Sequence, residues 1–281
     1  MRDSRAFTSA VVRPFAADAP LAARDLVHAH PGNPALFRRE QLLAAANATS
    51  PLRPIANMGD TTMVDRGKSY DRLTKLYDAA AHLYSRGRIR ALKASQIGEL
   101  QPGQRILYAG VGDGEDAVLA ANRQVTLTLL DLSQGMLDRA AGKFQAVDAE
   151  GCIELICADV LKHERPGHYD IVVANFFLNV FTEPMMETVL AHLATMLKPG
   201  GKLLIGDFSY PRGRFTTRAM QRGYYYISMF SFWLLGGTPL HPIYDYPRYF
   251  AAANLRSSGV QRFRVSALFP VSFETITAVK L

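Results

Sequence analysis

The sequence ILYAGVGDG spans residues 106–114 and joins an apolar run to three alternating glycines, Gly110, Gly112 and Gly114. The apolar run predicts a short buried strand, and the residues from Glu115 onward predict a helix. Glycine at a strand–helix junction lets the backbone turn sharply and approach a ligand closely. A tight turn that binds no ligand is the alternative. The sequence around the motif distinguishes a ligand-binding loop from such a turn.

Acidic residues end the next two predicted strands. Asp131 closes the run that begins at Val125, at the spacing of about 20 residues typical of a carboxylate that binds two ribose hydroxyls. Asp159 follows the third strand, where a carboxylate can accept a hydrogen bond from an adenine amino group. Either acid alone could simply cap a helix. Together with the glycines they predict a nucleoside-containing cofactor at the carboxyl edge of a parallel sheet.

Strands and helices alternate from residue 105 to residue 207, which predicts crossover connections and a parallel sheet. The predicted strands are 105–109, 125–131, 153–157, 169–174 and 202–207, and the predicted helices are 115–123, 133–145 and 184–201. Two last apolar segments, 262–268 and 273–279, have no long helix between them and predict an antiparallel hairpin at the sheet edge.

The chain divides into two predicted parts. Residues 1–67 are rich in Ala and Arg and are interrupted by prolines, which favours an N-terminal helical cap or lid. Residues 68–281 form the predicted Rossmann-like domain, with an aromatic and basic insertion at 211–258. The start of the chain lacks the basic, apolar and small-residue pattern of a secretory signal, so a cytoplasmic location is expected.

Several motifs resemble the class I S-adenosylmethionine-dependent methyltransferases, and most closely their ubiquinone/menaquinone-biosynthesis C-methyltransferase family. One signature is matched by Tyr77-Asp78, Ser85, Gly87, Arg90 and Lys93. The second is matched by LKPGGKLLIGDFS at 197–209, with Asp207 where the family usually has Glu, and DLS at 131–133 and GML at 135–137 also fit. The resemblance covers roughly residues 70–281. It implies an α/β fold with a seven-stranded, mostly parallel sheet and a reversed C-terminal hairpin.

By this resemblance the cofactor is S-adenosylmethionine. The three glycines would face it, Asp131 its ribose, Asp159 its adenine and the segment 170–179 its methionine part. The cofactor-binding prediction also includes Tyr77, Tyr108, Leu132, Met136, Val160, Asn175 and Phe176.

Methyl transfer needs mainly an in-line approach and exclusion of water, and aromatic faces attract a sulfonium. The predicted catalytic residues are Tyr77, Asn175, Tyr210 and His241, and His241 is the candidate general base. Tyr70 and Phe176 are further aromatic candidates, and core packing is the alternative role for each ring.

The chain departs from the family at informative positions. Tyr108 stands where the family has an acid that helps to hold the methionine ammonium, and Ala81, Ile89 and Leu92 replace Asn, His and Trp. A neutral amine is a nucleophile, so two reactions remain open besides methyl transfer. One is cyclisation of the aminobutyrate moiety to azetidine-2-carboxylate with release of methylthioadenosine, and the other is aminocarboxypropyl transfer.

The net charge is +7, and it is concentrated in one segment. Residues 211–265 contain eight Arg and one acid, Asp245, together with many aromatic side chains. This composition fits a lipophilic substrate, an RNA surface, a membrane surface, or a packed helix with a solvated basic face. Within this segment, residues 223–240 are short for a membrane span and are interrupted by glycine and proline. The preferred interpretation is a lipophilic lid over the substrate, and the alternatives are membrane contact and ordinary core packing.

Other functional classes find less support. The segment NFFL at 175–178 differs from the Asn/Asp-Pro-Pro-aromatic tetrad of amino-methylating nucleic-acid enzymes, so a nucleic-acid partner is not expected. An RNA-binding or RNA-modifying protein is kept as the second alternative function because of the basic segment. Two cysteines, Cys152 and Cys157, cannot form a disulfide scaffold or a four-cysteine zinc site. The seven histidines lack metal-ligand spacing, so no metal is expected.

Overall fold

A computed structural model describes residues 85–145, 152–236, 241–266 and 268–281. The predicted cap at 1–67, Tyr70 and Tyr77 lie outside these residues. The strands are β1 Arg105–Ala109, β2 Thr126–Asp131, β3 Cys152–Cys157, β4 Tyr169–Asn175, β5 Leu197–Phe208, β6 Leu255–Arg264 and β7 Val271–Lys280. The helices are α1 Arg88–Gln96, α2 Glu115–Ala121, α3 Gln134–Gln145, α4 Glu183–Met196, α5 Phe215–Gly236 and α6 Pro247–Phe250.

The strands form one seven-stranded sheet in the order β3-β2-β1-β4-β5-β7-β6. The first five strands are mutually parallel, and β7 runs antiparallel between β5 and β6. The strand order reverses between β1 and β4, where open α/β sheets bind ligands. The Rossmann-like fold with a reversed C-terminal hairpin is therefore confirmed.

The two faces of the sheet pack into separate apolar clusters. Leu107 and Ala109 of β1 belong to one cluster, and Ile106 and Tyr108 belong to the other. This division follows from the alternation of side chains along a strand, since a parallel sheet covered on both faces buries every residue of a central strand. The apolar run at 106–109 thus fixes β1 in the middle of the sheet.

Two predicted strand starts and one predicted site segment differ from the structure, and the helix predicted over 184–201 ends at Met196 because β5 begins at the next residue. β5 begins at Leu197 instead of 202, because Leu197 already pairs with Tyr169 of β4. A register shift between Tyr169 and Ile171 accommodates the residues between Leu197 and Lys202. β6 begins at Leu255, inside the predicted insertion, because it is an edge strand with a mostly exposed, polar sequence. Asp170 lies at the amino end of β4, where it accepts from the Arg105 N–H at 2.8 Å. The prediction that the whole of 170–179 lines the methionine site is therefore wrong at its start.

Candidate functional site

The three glycines after β1 have left-handed backbones. Their φ angles are 65° at Gly110, 58° at Gly112 and 73° at Gly114, which favour glycine. A Cβ at Gly110 would overlap the Phe177 ring, and a Cβ at Gly114 would lie 2.7 Å from the Cβ of Ala140. A Cβ at Gly112 would meet nothing within 4 Å. Gly110 and Gly114 therefore allow close packing, whereas Gly112 borders open space that fits a cofactor.

Asp131, at the end of β2, uses one carboxylate oxygen to bind this loop and the other to bind the turn that follows β2. Oδ2 accepts from the Gly112 N–H at 2.9 Å, and Oδ1 accepts from the Ser133 N–H at 3.0 Å. Each carboxylate oxygen has two lone pairs, so these backbone bonds do not exhaust it. The side chain is half-buried, in a position to meet a ligand. Ribose binding by Asp131 fits this geometry and stays a prediction.

Four further predicted cofactor-binding residues, of which Asp159 is the one assigned to adenine, lie after β2 and β3. Asp159 accepts from the Leu161 N–H at 2.9 Å and caps a short 3-10 turn, which is a role that an acid fills without any cofactor. Val160 and Met136 are buried, whereas Leu132 is 41% exposed. Of these three apolar residues, Leu132 is thus the one open to a ligand.

A buried polar network joins α1, α2 and β4 beside the glycine loop. Asp116, 3% exposed, accepts from Nζ of Lys93 at 3.2 Å and from Nδ2 of Asn175 at 2.9 Å. The side-chain amides of Asn175 and Gln96 bond to each other at 2.8 and 2.9 Å. Burial alone would lower the pKa of Lys93, but the carboxylates of Asp116 and Asp113 raise it, so Lys93 is a cation. Protein partners therefore hold the predicted site residue Asn175 in place.

Tyr108 packs in the interior of the sheet. Its side chain is 4% exposed and belongs to one of the two apolar clusters. Burial, and then the Asp116 carboxylate, raise the pKa of Tyr108 well above its usual value, so the phenol is neutral. The fixed negative charge near this strand end comes from Asp116 instead.

Phe176 and Phe177, directly after β4, connect the glycine loop to an aromatic cluster. Phe176 has a φ of 52°, which is uncommon for a non-glycine residue, and its N–H donates to the Gly206 carbonyl at 2.7 Å. The Phe177 ring packs against Gly110, and the Phe176 ring meets Phe208 edge-on at 5.8 Å between centroids. Backbone outliers of this kind concentrate at functional sites.

Helix α5 completes the aromatic cluster. Tyr225 and Tyr224 lie 5.1 and 6.4 Å from Phe208, and Phe273 of β7 lies 5.9 Å from Phe176. Such edge-to-face and tilted contacts are favoured because ring edges and faces carry opposite partial charges. The aromatic insertion therefore packs at the carboxyl ends of β4 and β5, next to the glycine loop.

Asp207, near the end of β5, is the centre of a second buried network. Its carboxylate accepts from Nδ2 of Asn179 at 2.8 Å, from the Phe208 N–H at 2.7 Å and from the Tyr246 hydroxyl. Burial raises the pKa of Asp207 to about 7, although these three donors oppose the shift. The network ties the turn after β4 to the segment before α6, so it supports one wall of the site.

His241 contacts the same wall. Its Nε2 lies 2.7 Å from the Asn179 carbonyl oxygen, its Nδ1 lies 2.9 Å from that of Pro242, and its ring stacks on Tyr244 at 4.5 Å. Both ring nitrogens therefore face backbone acceptors, whereas a neutral imidazole has only one N–H to donate. This geometry favours a positioning role, and the predicted role as a base stays untested.

Tyr210 follows β5 at the rim of the aromatic cluster. The guanidinium groups of Arg212 and Arg248 each lie 5.6 Å from its ring centroid. Its N–H donates to Glu274 at 3.2 Å. The ring is thus held by cation–π contacts, and its predicted catalytic role stays a prediction.

The role of Asp116 was missed by sequence reasoning. The signal was a carboxylate in a helix whose other core-facing residues are alanines, Ala117, Ala120 and Ala121. A charge in such a stripe requires a buried partner. The partner, Lys93, is 23 residues earlier in the chain, and its proximity is a property of the fold.

Metal-binding clusters and membrane-spanning helices are two further features to consider. In the ranges given above, no group of three or more His, Cys, Asp or Glu side chains is arranged to hold a metal ion. No helix in those ranges combines the length and apolarity needed to cross a bilayer.

The chain is similar to known methyltransferases in sequence and in fold. Residues 107–203 match a family model described as a methyltransferase domain. Demethylmenaquinone methyltransferase from Renibacterium salmoninarum is 32% identical over 146 residues, which are 50% of this chain and 58% of that protein. A ubiquinone/menaquinone biosynthesis C-methyltransferase from Pseudomonas fluorescens is 28% identical over 72% of this chain and 78% of its own length.

A solved structure gives the same fold. The 1,6-didemethyltoxoflavin-N1-methyltransferase of Burkholderia thailandensis, bound to S-adenosylhomocysteine, superposes with a TM-score of 0.57. Its sequence is 18% identical to this chain, and the superposition covers 82% of this chain and 93% of the neighbour's chain. In sequence, the chain spans little more than half the length of the Renibacterium relative.

The sheet order and the glycine loop next to Asp131 are features of the class I S-adenosylmethionine-dependent methyltransferases, and residues 107–203 match the methyltransferase-domain model. The cofactor of the class is S-adenosylmethionine. Within the class, both sequence relatives described above are quinone-biosynthesis methyltransferases. The expected resemblance to these methyltransferases is thereby confirmed.

Proposed function

We propose that this chain transfers a methyl group from S-adenosylmethionine to a small lipophilic or aromatic acceptor, with quinone-type rings as the first class to test. The relatives are named for methylation in menaquinone and ubiquinone biosynthesis, and the structural neighbour for methylation of a toxoflavin precursor. These names support an aromatic acceptor and leave its identity open.

The observation that carries this proposal is the placement of Phe176 and Phe177. Phe177 packs on the glycine loop, and Phe176 packs on the aromatic cluster of β5, β7 and α5. An acceptor bound among these rings would therefore lie next to the cofactor loop. Aromatic walls also exclude water, which favours attack by the acceptor over hydrolysis.

Each part of the site has a proposed task. When bound, S-adenosylmethionine supplies a methyl group on a sulfonium centre. Asp131 would accept the ribose hydroxyls, and Gly112 would leave room for the cofactor. Lys93 and Asp116 offer fixed charges of both signs beside Asn175, which complement a methionine carboxylate and ammonium. Asp116 thereby replaces the acid that the family carries at the position of Tyr108.

The direct test is product analysis with methyl-labelled cofactor. The purified full chain is incubated with demethylated quinones of several tail lengths, reduced to the nucleophilic quinol form, and with hydrophilic phenols as matched controls. We expect a methylated quinone-type product together with one equivalent of S-adenosylhomocysteine. Tight cofactor binding without any methylated product across such a panel would count against the proposal.

Amine-centred chemistry is the second candidate. The observation that favours it is Tyr108, a buried neutral phenol where the family has an acid. The cofactor amine would form a C–N bond to its own Cγ as the C–S bond breaks, giving azetidine-2-carboxylate and methylthioadenosine and releasing the amine proton to solvent. Attack by an acceptor on the same carbon would give aminocarboxypropyl transfer.

Chromatography of the nucleoside product separates the candidates. With cofactor alone, cyclisation gives methylthioadenosine, whereas a methyltransferase gives no turnover until an acceptor is added. With an acceptor, S-adenosylhomocysteine indicates methyl transfer and methylthioadenosine indicates aminocarboxypropyl transfer. Heat-treated protein controls for spontaneous decay of the cofactor.

A further inference from the structure

One side of α5 exposes large apolar side chains to solvent. The exposed fractions are 77% for Phe215, 45% for Met220, 43% for Tyr226, 78% for Ile227 and 53% for Phe230. The helix packs on the protein through a different stripe, formed by Gln221, Tyr225, Ser228 and Met229. The exposed apolar residues are therefore not needed to hold α5 in place.

The exposed residues form a continuous surface. At 3.6 residues per turn they fall within an arc of about 140° around the helix. By the same count Arg222 lies between this arc and the buried stripe, whereas Arg218, near the start of the helix, projects on the side of the buried stripe. Both arginines are exposed. We call the arc and its two arginines the α5 face. The hairpin tip extends it, because Leu268 is 97% exposed and the neighbouring Phe269 ring lies 5.4 Å from Tyr224.

The charge of the α5 face has one sign. The sequence contains no acidic residue between Asp207 and Asp245. Arg214 precedes the helix, and within the part of the chain that the structure describes, neither Arg218 nor Arg222 forms an ion pair. The face therefore combines apolar and aromatic side chains with two arginines that have no carboxylate partner among the described residues.

We propose that the α5 face binds the surface of a bilayer that contains anionic phospholipid. Its apolar arc would enter the boundary between headgroups and acyl chains, and its arginines would contact phosphate groups. A second copy of the chain fits less well, because a symmetric contact would bring arginines together without a carboxylate. Since α5 also carries the aromatic cluster, binding would place the proposed acceptor site at the membrane. The lipid contact itself does not depend on the proposed reaction.

The test is co-sedimentation of the full chain with vesicles. Phosphatidylcholine vesicles are compared with vesicles that also contain phosphatidylglycerol, at low and high salt. We expect binding to the anionic vesicles, weakened by salt because charge pairing at the surface is screened. The double variant Phe215→Glu/Ile227→Glu should lose roughly tenfold or more in partitioning.

A control is Leu281→Glu, which adds one glutamate at a 62% exposed apolar residue after β7, at the end of the strands away from the Phe208 and Phe273 rings on which α5 packs. It should bind vesicles as the wild type does. A second variant, Arg218→Gln/Arg222→Gln, should lose about tenfold on anionic vesicles and keep any weak binding to neutral ones. Circular dichroism and S-adenosylhomocysteine affinity verify that each variant is folded.

Several results would overturn the proposal. One is equal binding to neutral and anionic vesicles, and another is a folded Phe215→Glu/Ile227→Glu protein that binds like the wild type. A third is light scattering that shows a dimer in solution that the same variant dissociates, which would make the α5 face an interface between copies of the chain.

Discussion

Asp131 is the side chain on which we expect nucleoside binding to depend most. Two ribose hydroxyls donating to a carboxylate are charge-assisted bonds, so Asp131→Ala should weaken S-adenosylhomocysteine binding on the order of tenfold or more. The variant also removes the acceptor of the Gly112 N–H. Calorimetry measures the change, with Asp138→Ala, an exposed carboxylate of α3, as control. Unchanged affinity would mean that the ribose lies elsewhere.

Asp116 is expected to act at the other end of the cofactor. Asp116→Asn removes a buried negative charge and leaves Lys93 without its ionic partner. We expect weaker binding of S-adenosylhomocysteine and little change for methylthioadenosine, which lacks the amino acid. Competition binding with both ligands gives the ratio directly. Equal losses for the two would show that Asp116 supports the loop without recognising the amino acid.

Asp207 should make stability depend on pH. The folded pKa of about 7 is above the usual value of 3.8, so the folded state keeps a proton that the unfolded chain has released. The free energy of unfolding should therefore fall as the pH rises between these two values, by about 1.4 kcal/mol for each pH unit. Urea unfolding at several pH values should show a flatter profile for Asp207→Asn than for wild type. Asp138→Asn is the control, and parallel profiles would exclude the effect.

Among the elements, the loop between β1 and α2 separates packing from ligand binding. Gly112→Ala places a methyl group in open space, so the protein should fold with a modest loss from its positive φ while cofactor affinity falls. Gly110→Ala carries the same backbone penalty and also collides with Phe177, so it should lose clearly more stability. Melting temperatures and calorimetry on both variants test the contrast. Similar melting temperatures would contradict it.

The predictable elements are those whose sequence signal is local. The strands from β1 to β4 follow from short apolar runs, and helices α2 and α3 from their place between those runs. The start of β5 was missed because the segment LKPGG resembles a helix end, while the register shift that admits it to the sheet depends on β4. The early part of β6 was missed because an exposed edge strand has no apolar alternation to detect.

The part of the site that a local motif carries could be predicted from the sequence, and the part that depends on contacts between distant residues could not. Gly112 and Asp131 carry a motif with fixed spacing, and the structure brings them within 2.9 Å. The pairing of Lys93 with Asp116, and of Asp207 with Asn179 and Tyr246, joins elements far apart in the chain. No sequence periodicity reports such contacts. Asn175 was identified as a site residue, while its hydrogen bonds to Gln96 and Asp116 were not.

For the whole molecule, all seven strands of the described sheet, and the buried residues given for its two apolar clusters, lie after position 84. Deleting residues 1–60 should therefore leave a folded protein that binds S-adenosylhomocysteine. If the N-terminal segment is a lid, as its composition predicts, turnover of the acceptor should fall sharply because water is no longer excluded. Steady-state rates of the full and truncated chains measure this, and equal rates would show that the segment has no part in turnover.

Among the side chains that the structure describes, one exposed thiol lies next to Asp131, the proposed ribose ligand. Cys157 closes β3, pairs in register with Asp131, and its Sγ lies 3.6 Å from the Leu132 carbonyl oxygen. A maleimide fluorophore attached there would sit at the edge of the adenosine region without replacing any residue of the glycine loop. With Cys152 changed to Ser, the chain has a single attachment point. Stopped-flow emission from that dye would then follow arrival and departure of the nucleoside in real time, independently of catalysis.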